Sequence, residues 1–232
     1  MIPFYDEIRE HFESCYPREG CGVFAKIKDE LKWFPCDNVA ESDDDFIIDS
    51  EQYLDIAIRG QIVAIIHSHP DSPSNPSQSD IDYCNTIGIR YYIFSYPSMD
   101  LHILEPENKE KELYGRIYKF GVNDCFEAMR DYLQHKDIHI PARAAFEDDW
   151  WKKGLDYFTD EIIKNYKYKR VEGPMKENDV LIFTIQADIP NHCGVYIGDD
   201  KFFHHAEHRL SCQENLYPFW KKYITGVYRY DA

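Results

Sequence analysis

Basic residues are scarce in this chain. Lys and Arg number 26 against 42 Asp and Glu, a net charge of −16. Nucleic-acid phosphates are held by clusters of Lys and Arg, so the deficit argues against a nucleic-acid partner. It argues equally against adsorption to anionic membranes or acidic wall polymers. A long apolar run is missing too: nothing approaches the roughly 20 residues that span a bilayer. The start, Met1-Ile-Pro-Phe-Tyr-Asp-Glu7, has neither the cationic opening nor the apolar stretch of a secretory signal, so none is expected. The 7 cysteines are odd in number and form no Cys-x-x-Cys, which disfavours a disulfide framework and favours synthesis in a reducing compartment. No internal repeat is visible. Core-forming residues are plentiful: 44% of the chain is hydrophobic and 16% aromatic, too rich for disorder.

At 232 residues the chain suits one large domain or two small ones. The acid is unevenly spread. Residues 1–106 hold 20 acidic and 7 basic residues, and residues 107–232 hold 22 and 19. This shift supports two domains, although a solvated acidic face explains most of the charge itself. Glu105-Pro-Glu-Asn-Lys-Glu-Lys-Glu112 reads as the junction, placing domains at 1–106 and 113–232 with a linker at 107–112.

In the first half, Phe4, Ile8 and Phe12 stand at helical spacing among acids. Cys21–Ile27 and Leu31–Pro35 read as a hairpin, and Phe46-Ile47-Ile48 as a short strand. Ser50 can cap a helix carrying Tyr53, Leu54, Ala57 and Ile58. A β-branched strand over 61–67 follows. Ser77, with Asp80 three residues on, opens another helix, and strands at Arg90–Ser95 and Leu101–Leu104 complete a mixed α/β unit. In the second half a helix begins at Cys125. A Lys/Tyr-rich region over 159–168 reads as helical. Strands follow at Asp179–Ile185, His192–Ile197, Lys201–His204 and Thr225–Arg229, an α+β layout.

Two constellations carry chemistry. His67-Ser68-His69 ends the 61–67 strand, and alternation along a strand points both imidazoles to one face. Asp80 adds an oxygen donor. Two His, one carboxylate and an open position are what a catalytic zinc requires. Ser77 can donate to a developing oxyanion or serve only as a helix cap, and the two roles are compatible. In the second half, Cys125 sits at a helix start, where the helix dipole lowers a thiol pKa. His192 heads one strand and His204 ends the next, so a hairpin brings both to one edge. Nucleophile, base and orienting group are then at hand. His205 competes with His204 for the third place; the twelve-residue spacing from His192 favours His204.

Both constellations resemble known families. Glu19 before Gly20-Cys-Gly-Val, then His67-x-His69-Pro, Ser77 and Asp80, looks like the JAMM motif of the MPN-domain metallopeptidases. That resemblance implies a cytidine-deaminase-like α/β fold, zinc on His67, His69 and Asp80, Glu19 as acid and base, and Ser77 at the oxyanion. The flanking segments leave no room for the ubiquitin-gripping insertions of the deubiquitinating members. Asp124-Cys125, His192-Cys-Gly-Val-Tyr-Ile-Gly198 and Lys201-Phe-Phe-His204 resemble the papain-like NlpC/P60 cysteine peptidases, which cleave peptidoglycan stem peptides. Tyr118-Lys-Phe-Gly121 is similar to that family's Tyr-Arg-Phe-Gly segment, which implies a substrate-binding Tyr118. Phe126-Glu127 replaces its usual Ser-Gly. The pairing of both domains in this order, with Arg209-Leu-Ser211 and a late Trp220, resembles the tail assembly family of lambda-like phages. It implies partner tail-tip proteins, with peptidoglycan peptides as a further candidate. It also implies work in the host cytoplasm during assembly, with the virion tail tip left open as a second place. The rival expectation is an assembly factor that keeps both folds for docking without catalysis.

Overall fold

The computed structural model describes residues 2–43, 45–107, 112–143 and 148–231. They fall into two compact units. Of the expected linker, residues 108–111 lie outside the described residues.

In the first unit, α1 (Tyr5–Cys15) buries Ile8 and Phe12. β1 (Cys21–Ile27) and β2 (Glu30–Cys36) form a hairpin. Its two turn residues, Lys28 and Asp29, both have positive φ, the twist that suits a two-residue turn. After α2 (Ser50–Arg59) come β3 (Gln61–Pro70), α3 (Gln78–Ile87), β4 (Arg90–Tyr96) and β5 (Leu101–Leu104). The five strands run in the order β2-β1-β3-β4-β5. β3 and β4 are parallel, as a helical crossover through α3 requires; the other pairs are antiparallel.

Both faces of this sheet are covered. Cys21, Val23, Ile65 and Ile93 pack against Tyr53, Ile56 and Cys84 from α2 and α3. Phe24, Ala64, Ile66 and Phe94 pack against Ile8 and Phe12 of α1. A β-bulge sets which residue goes where. Phe24 pairs with Ala64 but Ala25 with Ile62, so Val63 is the extra residue. Beyond it, the period of two carries Ile65, His67 and His69 to the α2/α3 face.

The second unit has α4 (Cys125–Gln134), α5 (Asp160–Asn165), β6 (Tyr168–Arg170), β7 (Val180–Phe183), β8 (His192–Gly198), β9 (Lys201–His204), β10 (Cys212–Asn215) and β11 (Ile224–Tyr230). Its six strands form an antiparallel sheet in the order β10-β9-β8-β7-β11-β6. α4 lies across β8 and β9. Val180, Ile182, Cys193 and Val195 meet Phe126, Met129 and Leu133 on that side. Leu181, Phe183 and Phe202 meet Leu216 and Trp220 on the other. Gly194 faces His204 across the β8–β9 ladder. A Cβ there would lie 2.8 Å from the Phe203 carbonyl, so only glycine allows this close approach.

Some elements differ from the expectations. The strand expected over 61–67 continues to Pro70, so His69 lies on it as well. The cap of α2 is Asp49, whose side chain accepts from the Gln52 N–H; Ser50 is the first helical residue. In place of a strand at 46–48, Ile48 makes a single bridge to Asn38. The helix expected over 159–168 is confined to α5, because the chain joins the sheet at Tyr168. β10 was not anticipated: Cys-Gln-Glu-Asn carries no apolar alternation.

Candidate functional site

The first unit gathers Glu19, His67, His69 and Asp80 at the end of β3 and the start of α3. The Nε2 atoms of His67 and His69 are 3.1 Å apart. Asp80 places Oδ1 3.2 Å from His67 Nε2 and Oδ2 3.6 Å from His69 Nε2. Three donors around a tetrahedral zinc lie roughly 3.3 Å from one another, so these spacings fit a shared ion. The His69 tautomer fits as well. His69 turns Nδ1 to the Pro73 carbonyl at 3.0 Å, so that nitrogen carries the proton and Nε2 keeps its lone pair. Glu19 Oε1 is 3.9 Å from His69 Nε2, and Glu19, His67 and His69 also stand close enough to share an ion.

The chain around the cluster holds it rigid. Ser77 and Asp80 form a capping box at the start of α3. The Ser77 hydroxyl and backbone N–H both donate to Asp80 Oδ2 at 2.7 Å, which leaves Oδ1 to His67. Ser68, between the two imidazoles, accepts from the Gly20 N–H at 2.9 Å and donates its own N–H to the Gly20 carbonyl at 3.0 Å. That clamp fixes the backbone next to Glu19. Phe46 stacks on His67 with ring centres 4.4 Å apart. The His67 Nδ1 is buried with no hydrogen-bond partner among the described residues, so stacking orients the ring. Burial pushes the His67 imidazole below its ordinary value. Burial disfavours ionised Asp80, but the bonds from His67, His69 and Ser77 outweigh it and hold that carboxyl well below the usual range. Burial also disfavours charged His69; Asp80, the Pro73 carbonyl and Glu19 outweigh it and raise that imidazole.

The second unit gathers Cys125, His192 and His204. Asp124 caps α4: Oδ1 accepts from the N–H groups of Phe126 at 3.0 Å and Glu127 at 3.1 Å, and Oδ2 accepts from the Gly121 N–H at 2.7 Å. Cys125 is thereby set as the first helical residue, at the positive end of the helix. Hydrogen bonds with Cys193 and His192 outweigh burial and hold its thiol well below the ordinary pKa. His192 Nε2 lies 2.9 Å from His204 Nδ1, so Nδ1 is the His192 nitrogen left for Cys125. Burial pushes the His204 imidazole down to about 2, which keeps it neutral.

His205 takes no part in this line. Its Nε2 donates to the Arg209 carbonyl at 3.0 Å, and its ring meets Tyr118 edge-on with centres 5.3 Å apart. Tyr118 also lines an open cleft of about 430 Å³ with Lys119, Phe120, Glu207 and Arg209. Four contributors were not anticipated, the first being Phe46, expected only as a strand residue. Ser68 stood in plain view between the histidines, and Cys193 beside His192. Glu214, whose Oε2 is 3.7 Å from His204 Nε2, had no signal among so many acids.

Comparison with known proteins covers both units. Residues 2–105 match the family of prokaryotic homologs of the JAB domain, and residues 115–229 match the NlpC/P60 family. An NlpC/P60 family protein from Bacillus cereus aligns with 95% of this chain and 66% of its own, at 13% identity and a TM-score of 0.37. The tail tip assembly protein K of Escherichia phage lambda is 27% identical over 182 residues, 78% of this chain and 88% of that protein. The tail tip assembly protein K of Escherichia phage N15 is 30% identical over 227 residues, 97% of this chain and 93% of that protein. With the JAB/MPN and NlpC/P60 domains in that order, the chain belongs to the phage tail tip assembly protein K family.

Proposed function

We propose that the chain is a two-centre hydrolase of tail-tip assembly, with a zinc-dependent metallopeptidase at residues 1–106 and a cysteine endopeptidase at 113–232. The observation that carries the second assignment is the alignment of Cys125 at the start of α4 with His192 and His204, the imidazoles 2.9 Å apart. His192 holds the proton taken from Cys125, whose thiolate Sγ attacks an amide carbonyl. It returns the proton to the leaving amine as the C–N bond breaks. A water, deprotonated by the same His192, then hydrolyses the thioester. His204 holds the His192 ring in place, and Tyr118 borders the substrate cleft. Stem peptides of peptidoglycan are the proposed substrate class.

His67, His69 and Asp80 would hold the zinc of the first centre. When bound, that ion supplies a Lewis acid for water and the scissile carbonyl. Glu19 removes the proton of the attacking water and delivers it to the leaving nitrogen. Ser77 is the proposed oxyanion donor, and to act so its hydroxyl must leave Asp80 Oδ2. Other tail-tip proteins are the proposed partners. The host cytoplasm during assembly, and then the tail tip, are the proposed places of work.

The test incubates purified protein with peptidoglycan and compares Cys125→Ala. Release of stem-peptide fragments by wild type alone supports the cysteine centre, and equal release by both proteins removes Cys125 from the mechanism. For the first centre, mass spectrometry compares tail proteins assembled with wild type and with Glu19→Gln. A cleavage product absent from the variant supports the assignment, and identical products overturn it.

A further inference from the structure

We propose that Glu214 is a positioning residue of the cysteine centre: its carboxylate keeps the proton of His204 on Nε2, which turns the His192 Nδ1 lone pair toward Cys125. This rests on the reading of Cys125 as the nucleophile. Glu214 lies on β10, on the face that Cys212 shares with His204 of β9. Two donors from separate segments fix its carboxylate. The Trp220 indole N–H donates to Oε2, and the Arg209 guanidinium donates to Oε1.

The proton assignments follow from what faces each nitrogen. His204 Nε2 has Glu214 Oε2 at 3.7 Å and Cys212 Sγ at 4.0 Å. An ionised carboxylate only accepts, and a thiol is a weak donor. The proton of the neutral ring therefore belongs on Nε2, and Nδ1 becomes the acceptor for His192. His192 must then carry its proton on Nε2, and its Nδ1 is left as the base for the thiol. At 3.7 Å Glu214 acts through its charge in a desolvated setting rather than through a direct hydrogen bond. His204, Cys212 and Glu214 also stand close enough to share a cation. Both oxygens of that carboxylate already accept bonds, from Arg209 and Trp220, so the positioning role is the one the contacts favour.

Glu214→Gln tests this with little change of shape. The Trp220 N–H keeps the amide oxygen on the His204 side, so the variant removes the negative charge that holds the His204 proton on Nε2 and leaves the tautomers of His204 and His192 unfixed. The readout is iodoacetamide alkylation of Cys125 as a function of pH, followed by peptide mass spectrometry. In Glu214→Gln the rate at pH 6 should fall about tenfold, with the midpoint displaced upward by about one pH unit. Glu214→Asp should keep most of the wild-type profile. An unchanged profile in Glu214→Gln overturns the inference alone. A wild-type Cys125 that reacts no faster than Cys15 overturns the nucleophile reading and the inference with it. Nitrogen-15 shifts of His204 in the wild-type protein give a second measurement that needs no variant. A protonated Nε2 supports the inference, and a protonated Nδ1 overturns it.

Discussion

Cys125 differs from the other thiols in its surroundings. Burial pushes the Cys36 thiol up to about 12 and the Cys84 thiol up to about 11, and raises Cys21 further. Cys15 and Cys212, half-buried, are raised as well. Cys193 and His192 move Cys125 in the opposite direction. A depressed pKa means the thiolate is already present at neutral pH, whereas a raised one means the thiolate gains about tenfold for each added pH unit. Iodoacetamide at pH 7 should therefore modify Cys125 first. Moving to pH 9 should leave that rate nearly unchanged and accelerate Cys15 and Cys212, as peptide mapping will show. Asp179 gives a stability test at the same scale. Its buried carboxylate accepts two bonds from Arg229, at 2.8 and 2.7 Å, and one from the Lys176 N–H at 2.7 Å. Arg229→Ala strands that charge and should cost about 3 kcal/mol in urea unfolding. His67, His69 and Asp80 were legible residue by residue, because strand alternation and a helix cap fix their directions. Phe46 and Glu214 were not, because each acts through partners far away in the chain.

Among the elements, α4 ties sequence to chemistry most directly. Asp124 offers two oxygens to three N–H groups, and this local bonding decides where the helix begins. Asp124→Ala should destabilise the protein by about 1–2 kcal/mol in urea unfolding. It should also slow alkylation of Cys125, because a frayed helix start no longer holds the thiol beside His192. Asp124→Asn should recover part of both losses. The start of α4 was legible because caps are local signals. The cap of α2 was misplaced by one residue, since Asp49 and Ser50 are both good caps and only the Gln52 contact decides between them. Phe46 looked like strand by composition, but it stacks on His67 and leaves a single bridge at Ile48. The polar β10 earns its place from its neighbour β9, which no local pattern reveals.

For the whole molecule, each unit has its own sheet and core, and the two proposed centres share no residue. Zinc should therefore be separable from thiol chemistry. Wild-type protein should hold one zinc by elemental analysis, and His67→Ala should lose it while Cys125 alkylation keeps its rate. Chelation should lower the thermal stability of wild type, since an ion bound only by the folded state stabilises it. It should leave His67→Ala unaffected. A folded, metal-free wild type would remove the first assignment. The two-part organisation was legible because each half contains a compact motif. The bulge at Val63 was not, although it alone decides which sheet face receives the histidines. No helix among the described residues is long and apolar enough to cross a membrane.

The packing of Trp220 gives the cysteine centre an optical readout. Its indole lies 4.7 Å from the His204 ring and 5.8 Å from the His192 ring, centre to centre. Both rings lie against the indole, so the emission of this tryptophan should report a change at the centre. Capping the Cys125 sulfur alters the surroundings of both rings, and the fluorescence should change as the reaction proceeds. The change should vanish in Trp220→Phe. The centre can then be followed in real time before any substrate is known.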